Sequence, residues 1–181
     1  MAETSAVELV SRRYREMHGA QLRPAYPQGL HVSRDHAVRA SVGYRRAGDQ
    51  PLFLERYLDR PVEARLAEVL GRSVARDSVI EIGHLAADDA FAMVSLWGLA
   101  ANDLGGQCEI AVATLTAQVR SMFVRLGVQL HVLAAARADR VGDAAAWGRY
   151  YENDPQVCAG GIAQGQQAIA RFLARRGRIT A

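Results

Sequence analysis

Apolar positions recur along the chain with two spacings, one helical and one alternating. From residue 5 to about 18, Val7, Val10, Tyr14 and Met17 fall on one helical face, and Ser5 with Glu8 makes a capping-box pattern. Pro24 and Pro27 then break the chain into a loop. Residues 29–34 and 37–46 read as two strands around the polar pair Asp35-His36, a hairpin signal. Pro51 to Leu54 reads as a short strand or an extended entry. Pro61 opens a helix with Val62, Leu66, Val69 and Leu70 inward, stopped by Gly71. Residues 78–86 form a strand with an interior Gly83, which suggests a bulge or a close backbone approach. Asp88 and Asp89 cap the next helix, which turns Met93, Leu96, Trp97 and Ala100 inward and ends at Gly105-Gly106. A short strand at 107–113 follows. Thr116 caps a helix with Val119, Met122, Phe123 and Leu126, closed by Gly127, and 128–134 is a further strand. The chain ends in a helix, about 156–176, that uses Ile162, Ile169, Phe172 and Leu173.

This order predicts an α/β (α+β) domain spanning 1–181, with a mixed central sheet and helices on both faces. The hairpin supplies antiparallel pairs, and the later strand–helix–strand units are crossovers.

Composition removes several classes of chemistry. Half of the 181 residues are apolar and 23% are charged, which suits a folded chain with one sizeable core. All 22 basic residues are arginine. Without lysine there is no P-loop phosphate site and no Schiff-base enzyme. The formal charge is only +3, and the arginines are scattered except for Arg171, Arg175, Arg176 and Arg178. A basic stripe with interleaved aromatics is missing, so no nucleic-acid partner is expected. Zinc-type Cys/His spacing is absent, as is a nucleophile elbow, so neither a metal site nor a hydrolase triad is expected. Cys108 and Cys158 are too few for a disulfide framework. No apolar run is long enough to span a bilayer and no signal core is visible, so the expectation is a cytoplasmic protein.

Three stretches carry a more specific signal. They are Glu81-Ile-Gly83-His84-Leu85-Ala86, then Thr114 to Gly127 containing Arg120 and Phe123, then Trp147-Gly148-Arg-Tyr150-Tyr151 to Gly160. In this order they resemble the bacterial thermostable hemolysin family, from roughly Tyr14 to Gly160. The element order is similar to the acetyltransferase-like (GNAT) fold. The resemblance implies a sheet splayed at the Glu81–Ala86 strand and kinship with acyl-homoserine-lactone synthases. Those enzymes take acyl chains from an acyl carrier protein or coenzyme A. Three positions depart from the patterns. Family members usually have Asn where this chain has His84. The glycine loop by which GNAT enzymes hold coenzyme A pyrophosphate is replaced by HLAADDAFAM, with two aspartates that would repel it. Phe123 stands nearest to the place of a tyrosine acid.

The expected function is transfer of a fatty acyl group from an acyl-carrier-protein or acyl-coenzyme-A thioester to a small, amino-acid-like amine. The alternative is a non-enzymatic membrane-active or lipid-binding protein. No covalently bound cofactor is expected; the thioester is a co-substrate. Glu81 is the expected proton acceptor or, alternatively, an ion-pairing strand residue. His84, with a pKa near neutrality, is an alternative base or a hydrogen-bonded structural residue. Tyr150 is a candidate acid in place of Phe123. Gly83, Leu85, Arg120, Phe123, Trp147 and Tyr151 are the expected acyl- and substrate-contacting positions. Gly83 is expected to leave room for the thioester, and the 147–151 aromatics to line an acyl tunnel or clamp the sheet. His18 is expected at the surface or in a structural role.

Overall fold

The computed structural model describes residues 2–22 and 25–177. The side chains of Ser5 and Arg176, together with Pro24 and Arg178, lie outside the described residues.

Helix α1 (Ala2–His18) leads into a hairpin of β1 (Gln28–Arg34) and β2 (Ala37–Arg46). Asp35 and His36 both take positive φ, 53° and 61°, as a tight hairpin turn with the strands' own twist requires. The Pro51–Leu54 stretch is not a strand. It enters a 3₁₀ turn, Phe53–Tyr57, whose first amides are bonded by a buried carboxylate, described below. Helix α2 (Val62–Leu70) stops at Gly71 in the left-handed conformation. The remaining elements are β3 (Val79–Ala87), α3 (Ala90–Leu104), β4 (Ile110–Leu115), α4 (Ala117–Leu126), β5 (His131–Ala135), β6 (Gln156–Gly161) and α5 (Ile162–Gly177).

The six strands are ordered β1-β2-β3-β4-β6-β5. β3 and β4 pair in parallel across the α3 crossover, and the other neighbours are antiparallel. The expected final helix from 156 is corrected: its first six residues are β6, inserted between β4 and β5. Val157, Cys158 and Ala159 are all buried, so this strand has no polar face and no alternation to betray it. β4 starts three residues later than expected, because residues 105–107 form the turn that closes α3.

One face of the sheet is covered by α1, the 53–57 turn and α2. There Leu54, Tyr57, Val62 and Leu66 pack on Val79, Val112 and Val157, and Leu9 packs on Val38 and Ala86. The other face is covered by α3, α4 and α5, with Val94, Trp97, Phe123 and Ile169 on Ala113, Leu115 and Cys158. Helices therefore lie on both faces, as expected.

Candidate active site

The sheet opens in its middle. β3 and β4 pair through only Val79↔Ile110, Ile80↔Ala111 and Glu81↔Val112. Beyond that point β3 follows β2 and β4 follows β6, so the two central strands part in a V. A bulge accompanies the parting. Gly43 pairs with Gly83 and Ser41 with Ala86, so β3 carries one extra residue there, between Gly83 and Ala86. His84 takes φ 49°. His is among the few non-glycine residues that adopt this conformation readily, so the side chain is compatible with the bulge.

The V holds a cavity of about 280 Å³. Leu85 to Asp89 line it from the end of β3 and the turn after it, Thr114 to Thr116 from the end of β4 and the start of α4, Tyr14 and His18 from α1, and Tyr150 closes it from the late loop. Tyr150 is buried and donates its hydroxyl to the Thr114 carbonyl at 3.2 Å. Burial raises its pKa well above the tyrosine range, so it stays a neutral phenol. The hydroxyl Oγ1 of Thr114 is buried without a partner. His18 is buried rather than exposed. It sits edge-on to Tyr150 at 5.3 Å and receives a 3.4 Å contact from Asn153 at Nδ1. Sequence reasoning places Tyr14 only on an apolar helix face, and nothing in the pattern marks it or His18 as cleft residues.

His84 looks the other way, into a polar chamber of about 900 Å³ lined also by Tyr26, Arg45, Arg56, Asp143 and Trp147. Its ring packs edge-on to Tyr26 at 5.0 Å and Tyr14 at 6.1 Å. Burial, with a smaller effect of the Arg45 charge, pushes the imidazole pKa down to about 4. His84 is therefore neutral at neutral pH.

Glu81 is 1% exposed. Its two oxygens accept the amides of Phe53 at 2.8 Å and Leu54 at 3.0 Å. Arg45 Nε lies 3.5 Å from the same carboxylate, and the Tyr26 hydroxyl hydrogen-bonds it. Burial raises the Glu81 pKa, and these four partners oppose the rise. The space expected above Gly83 for a thioester is filled by Tyr26. A Cβ on Gly83 would lie 2.1 Å from the Tyr26 hydroxyl oxygen, and one on Gly43 2.6 Å from Tyr26 Cβ. Two paired glycines thus form a slot for one tyrosine ring, with the Arg45 guanidinium 4.7 Å over its centre.

The 147–151 aromatics cluster against the 53–57 turn. Trp147 lies 5.6 Å from Phe53 and 5.2 Å from Tyr150, and Tyr151 shares a 2.8 Å hydroxyl contact with Tyr57. Gly148, at φ 55°, is pressed on the end of α1, where a Cβ would meet the His18 carbonyl at 2.2 Å. Arg149 donates its amide to that carbonyl at 2.8 Å. Gly148→Ala is expected to cost about 2 kcal/mol, since the conformation and the contact both exclude a side chain. A denaturant midpoint equal to wild type would contradict this.

Arg120 is committed within the fold. It donates to the Leu115 carbonyl at 2.8 Å and to the Asp154 carbonyl at 2.6 Å, and pairs with the Asp154 carboxylate at 2.5 Å. It braces the end of β4 against the late loop. Phe123 is buried and stacked on Trp97 at 3.9 Å. Both line a second, apolar cavity of about 90 Å³ between the sheet and α3, α4 and α5. Leu115 borders this cavity and the V alike. At the N-terminus of α3, Asp89 accepts the Ala92 amide at 2.8 Å and meets Arg34, while Asp88 pairs with Arg12 and Arg39. Burial raises the Cys158 thiol to about 11, which keeps it protonated. Among the described residues no cluster suited to a metal ion is present, and no helix is long and apolar enough to cross a membrane.

Solved structures share this fold. TofI, crystallised in a ternary complex with an inhibitor and MTA, is 20% identical, with a TM-score of 0.62, over 94% of this chain and 91% of its own. FeeM, an N-acyl amino acid synthase from uncultured soil microbes, is 13% identical with a TM-score of 0.61, over 92% of this chain and 94% of its own. BjaI, a coenzyme-A-dependent acyl-homoserine lactone synthase solved with SAM and isopentyl-CoA, is 14% identical with a TM-score of 0.60, over 95% of this chain and 83% of its own. No curated protein matches the sequence. The sequence pattern of one family spans residues 2–166, covering every element from α1 to β6, and by that match the chain belongs to the thermostable hemolysin family.

Proposed function

We propose that the protein transfers an acyl group from a thioester to the amine of a small, amino-acid-like acceptor. The observation that carries this reading is the parting of β3 from β4 at the His84 bulge. It sets a polar chamber on one side of β3 and the V on the other, with an apolar cavity beyond Leu115 and the strand backbone between. The functions of FeeM and BjaI, on the same fold, support the reading.

In this scheme the acyl chain runs past Leu85 and Leu115 toward Phe123, and the acceptor sits beside His84. The amine nitrogen attacks the thioester carbonyl carbon and forms a tetrahedral oxyanion. Backbone N–H groups of the bulge, freed from β4 pairing, stabilise that charge. The C–S bond then breaks, the thiolate leaves, and the amine sheds its proton. Neutral His84 accepts a hydrogen bond from the amine and passes the proton to chamber water. Glu81, with both oxygens bonded, takes the role of strut: it fixes the 53–57 turn and Tyr26, and through them the chamber wall. Tyr150, its hydroxyl donated to the Thr114 carbonyl, shapes the cleft floor, with Arg120 as a brace and Trp147 and Tyr151 as chamber wall.

Free coenzyme A is expected to bind weakly, because Asp89 already occupies the helix terminus where its pyrophosphate would sit. An acyl carrier protein is the donor this favours. Calorimetry with acetyl-coenzyme A should give no sub-micromolar binding; such binding would overturn the donor assignment. The reaction itself is tested by mass spectrometry after incubation with an acyl thioester and mixed amino acids. An N-acyl amino acid is expected, and recovery of free fatty acid alone would contradict the proposal.

A further inference from the structure

Helix α1 brings to the parting of the strands a phenol that the fold itself does not use. Two tyrosines line the V, Tyr14 and Tyr150. Tyr150 spends its hydroxyl on the Thr114 carbonyl. Tyr14 has three ring neighbours: Tyr150 stacks on it at 6.4 Å, His18 lies at 5.8 Å and His84 at 6.1 Å. A phenylalanine would make all three contacts. The Tyr14 hydroxyl has no hydrogen-bond partner among the described residues, yet it is not sealed as the Trp97 indole and the Thr114 hydroxyl are. It is open to space of water size, and among the cavities described Tyr14 lines the V alone. Phenols this far inside a protein normally find a partner from the fold. This one faces a space that a ligand can enter.

The place of Tyr14 is that of the reacting group. His84, its edge-on neighbour, is the left-handed residue of the bulge. The Tyr26 hydroxyl sits over Gly83 on β3, and the Tyr150 hydroxyl is bonded to Thr114 on β4. A charge on Tyr14 would hinder the ionisation of both, so the Tyr14 oxygen is near the two strands where they separate. Burial raises the Tyr14 pKa above the tyrosine range, which keeps the phenol a neutral donor.

We infer that Tyr14 is a catalytic residue whose Oη–H donates a hydrogen bond to the carbonyl oxygen of the acyl thioester, together with the amides of the bulge. The inference rests on the acyl-transfer reading and adds a side-chain donor from α1 to it. As the amine nitrogen bonds to the carbonyl carbon, the carbon–oxygen π pair moves onto oxygen. The hydrogen bond from Tyr14 strengthens with that charge, and the phenol keeps its proton. The pair on oxygen then re-forms the carbonyl, and the C–S bonding pair leaves with sulfur.

Tyr14→Phe removes the hydroxyl and keeps the ring. Because that hydroxyl bonds nothing in the fold, the denaturant midpoint of the variant is expected at or above that of wild type. Thiol release is followed in single turnover with saturated straight-chain acyl thioesters of an acyl carrier protein and of coenzyme A, in the presence of mixed amino acids. The maximal rate is expected to fall by about a hundredfold to a thousandfold, with the thioester concentration for half-maximal rate near that of wild type. A maximal rate within a few fold of wild type overturns the inference. So does a loss confined to the half-maximal concentration, which would make Tyr14 a ground-state contact. A lowered midpoint or an unfolded variant overturns it too, because the hydroxyl would then serve the fold. A wild-type rate that survives Tyr14→Phe removes this inference alone, whereas wild-type protein without amine-dependent thiol release from either thioester removes the acyl reading with it.

Discussion

Glu81→Gln is expected to lower stability by about 3 kcal/mol while leaving turnover per folded molecule within a few fold of wild type. The carboxylate accepts two backbone amides and the Tyr26 hydroxyl and faces the Arg45 guanidinium, all in a site 1% exposed. A glutamine keeps one acceptor oxygen. Its amide nitrogen then opposes the Phe53 or Leu54 N–H, donor against donor, and Arg45, itself mostly buried, loses its counter-charge. Each loss is of the kind that leaves a buried group unsatisfied, which is why the expected effect is large. Denaturant unfolding and steady-state turnover on one preparation separate the roles. Unchanged stability with turnover reduced by about two to four orders of magnitude would make Glu81 the base after all.

Gly83→Val should be nearly as damaging, and for a steric reason. Its Cβ would fall 2.1 Å from the Tyr26 hydroxyl oxygen and 2.4 Å from the carbon that bears it. The ring cannot slide aside, because Gly43 backs its other end and Glu81 holds its hydroxyl. Tyr26 must leave the slot, at a cost of about 3 kcal/mol in overpacking and a lost hydrogen bond to a charged group. A double-mutant cycle identifies the cause. In a Tyr26→Ala background the valine should be tolerated, giving a coupling of about 2 kcal/mol. Additive effects would show that something other than Tyr26 occupies the space over Gly83.

Much of this architecture is legible in the residues, and the failures have physical reasons. The Asp35-His36 turn, the Gly71 and Gly127 stops and the Asp89 cap are local chemistry, which a sequence carries openly. Gly83 marks the strand irregularity, but the left-handed residue is its neighbour His84, and glycine is needed for the approach of Tyr26. That approach joins residues far apart in the chain, and a tyrosine in a proline-flanked loop gives no hint of it. β6 is hidden because a strand buried on both faces and rich in small residues shows no alternation. Arg120 is an expected substrate contact, yet its partners come from β4 and the 150–154 loop. Trp97 reads as core, and only the surrounding packing reveals its unpaired N–H.

The proposed reaction is acyl transfer to an amine. Its most direct test is thiol release from an acyl-carrier-protein thioester, measured with and without a mixture of amino acids, beside dye leakage from liposomes at the same protein concentration. Amine-dependent thiol release that rises with pH above neutrality is expected, because only the unprotonated amine attacks, with no leakage above control. With its pKa near 4, His84 adds no inflection between about pH 5 and 8. Leakage without amine-dependent thiol release would contradict acyl transfer.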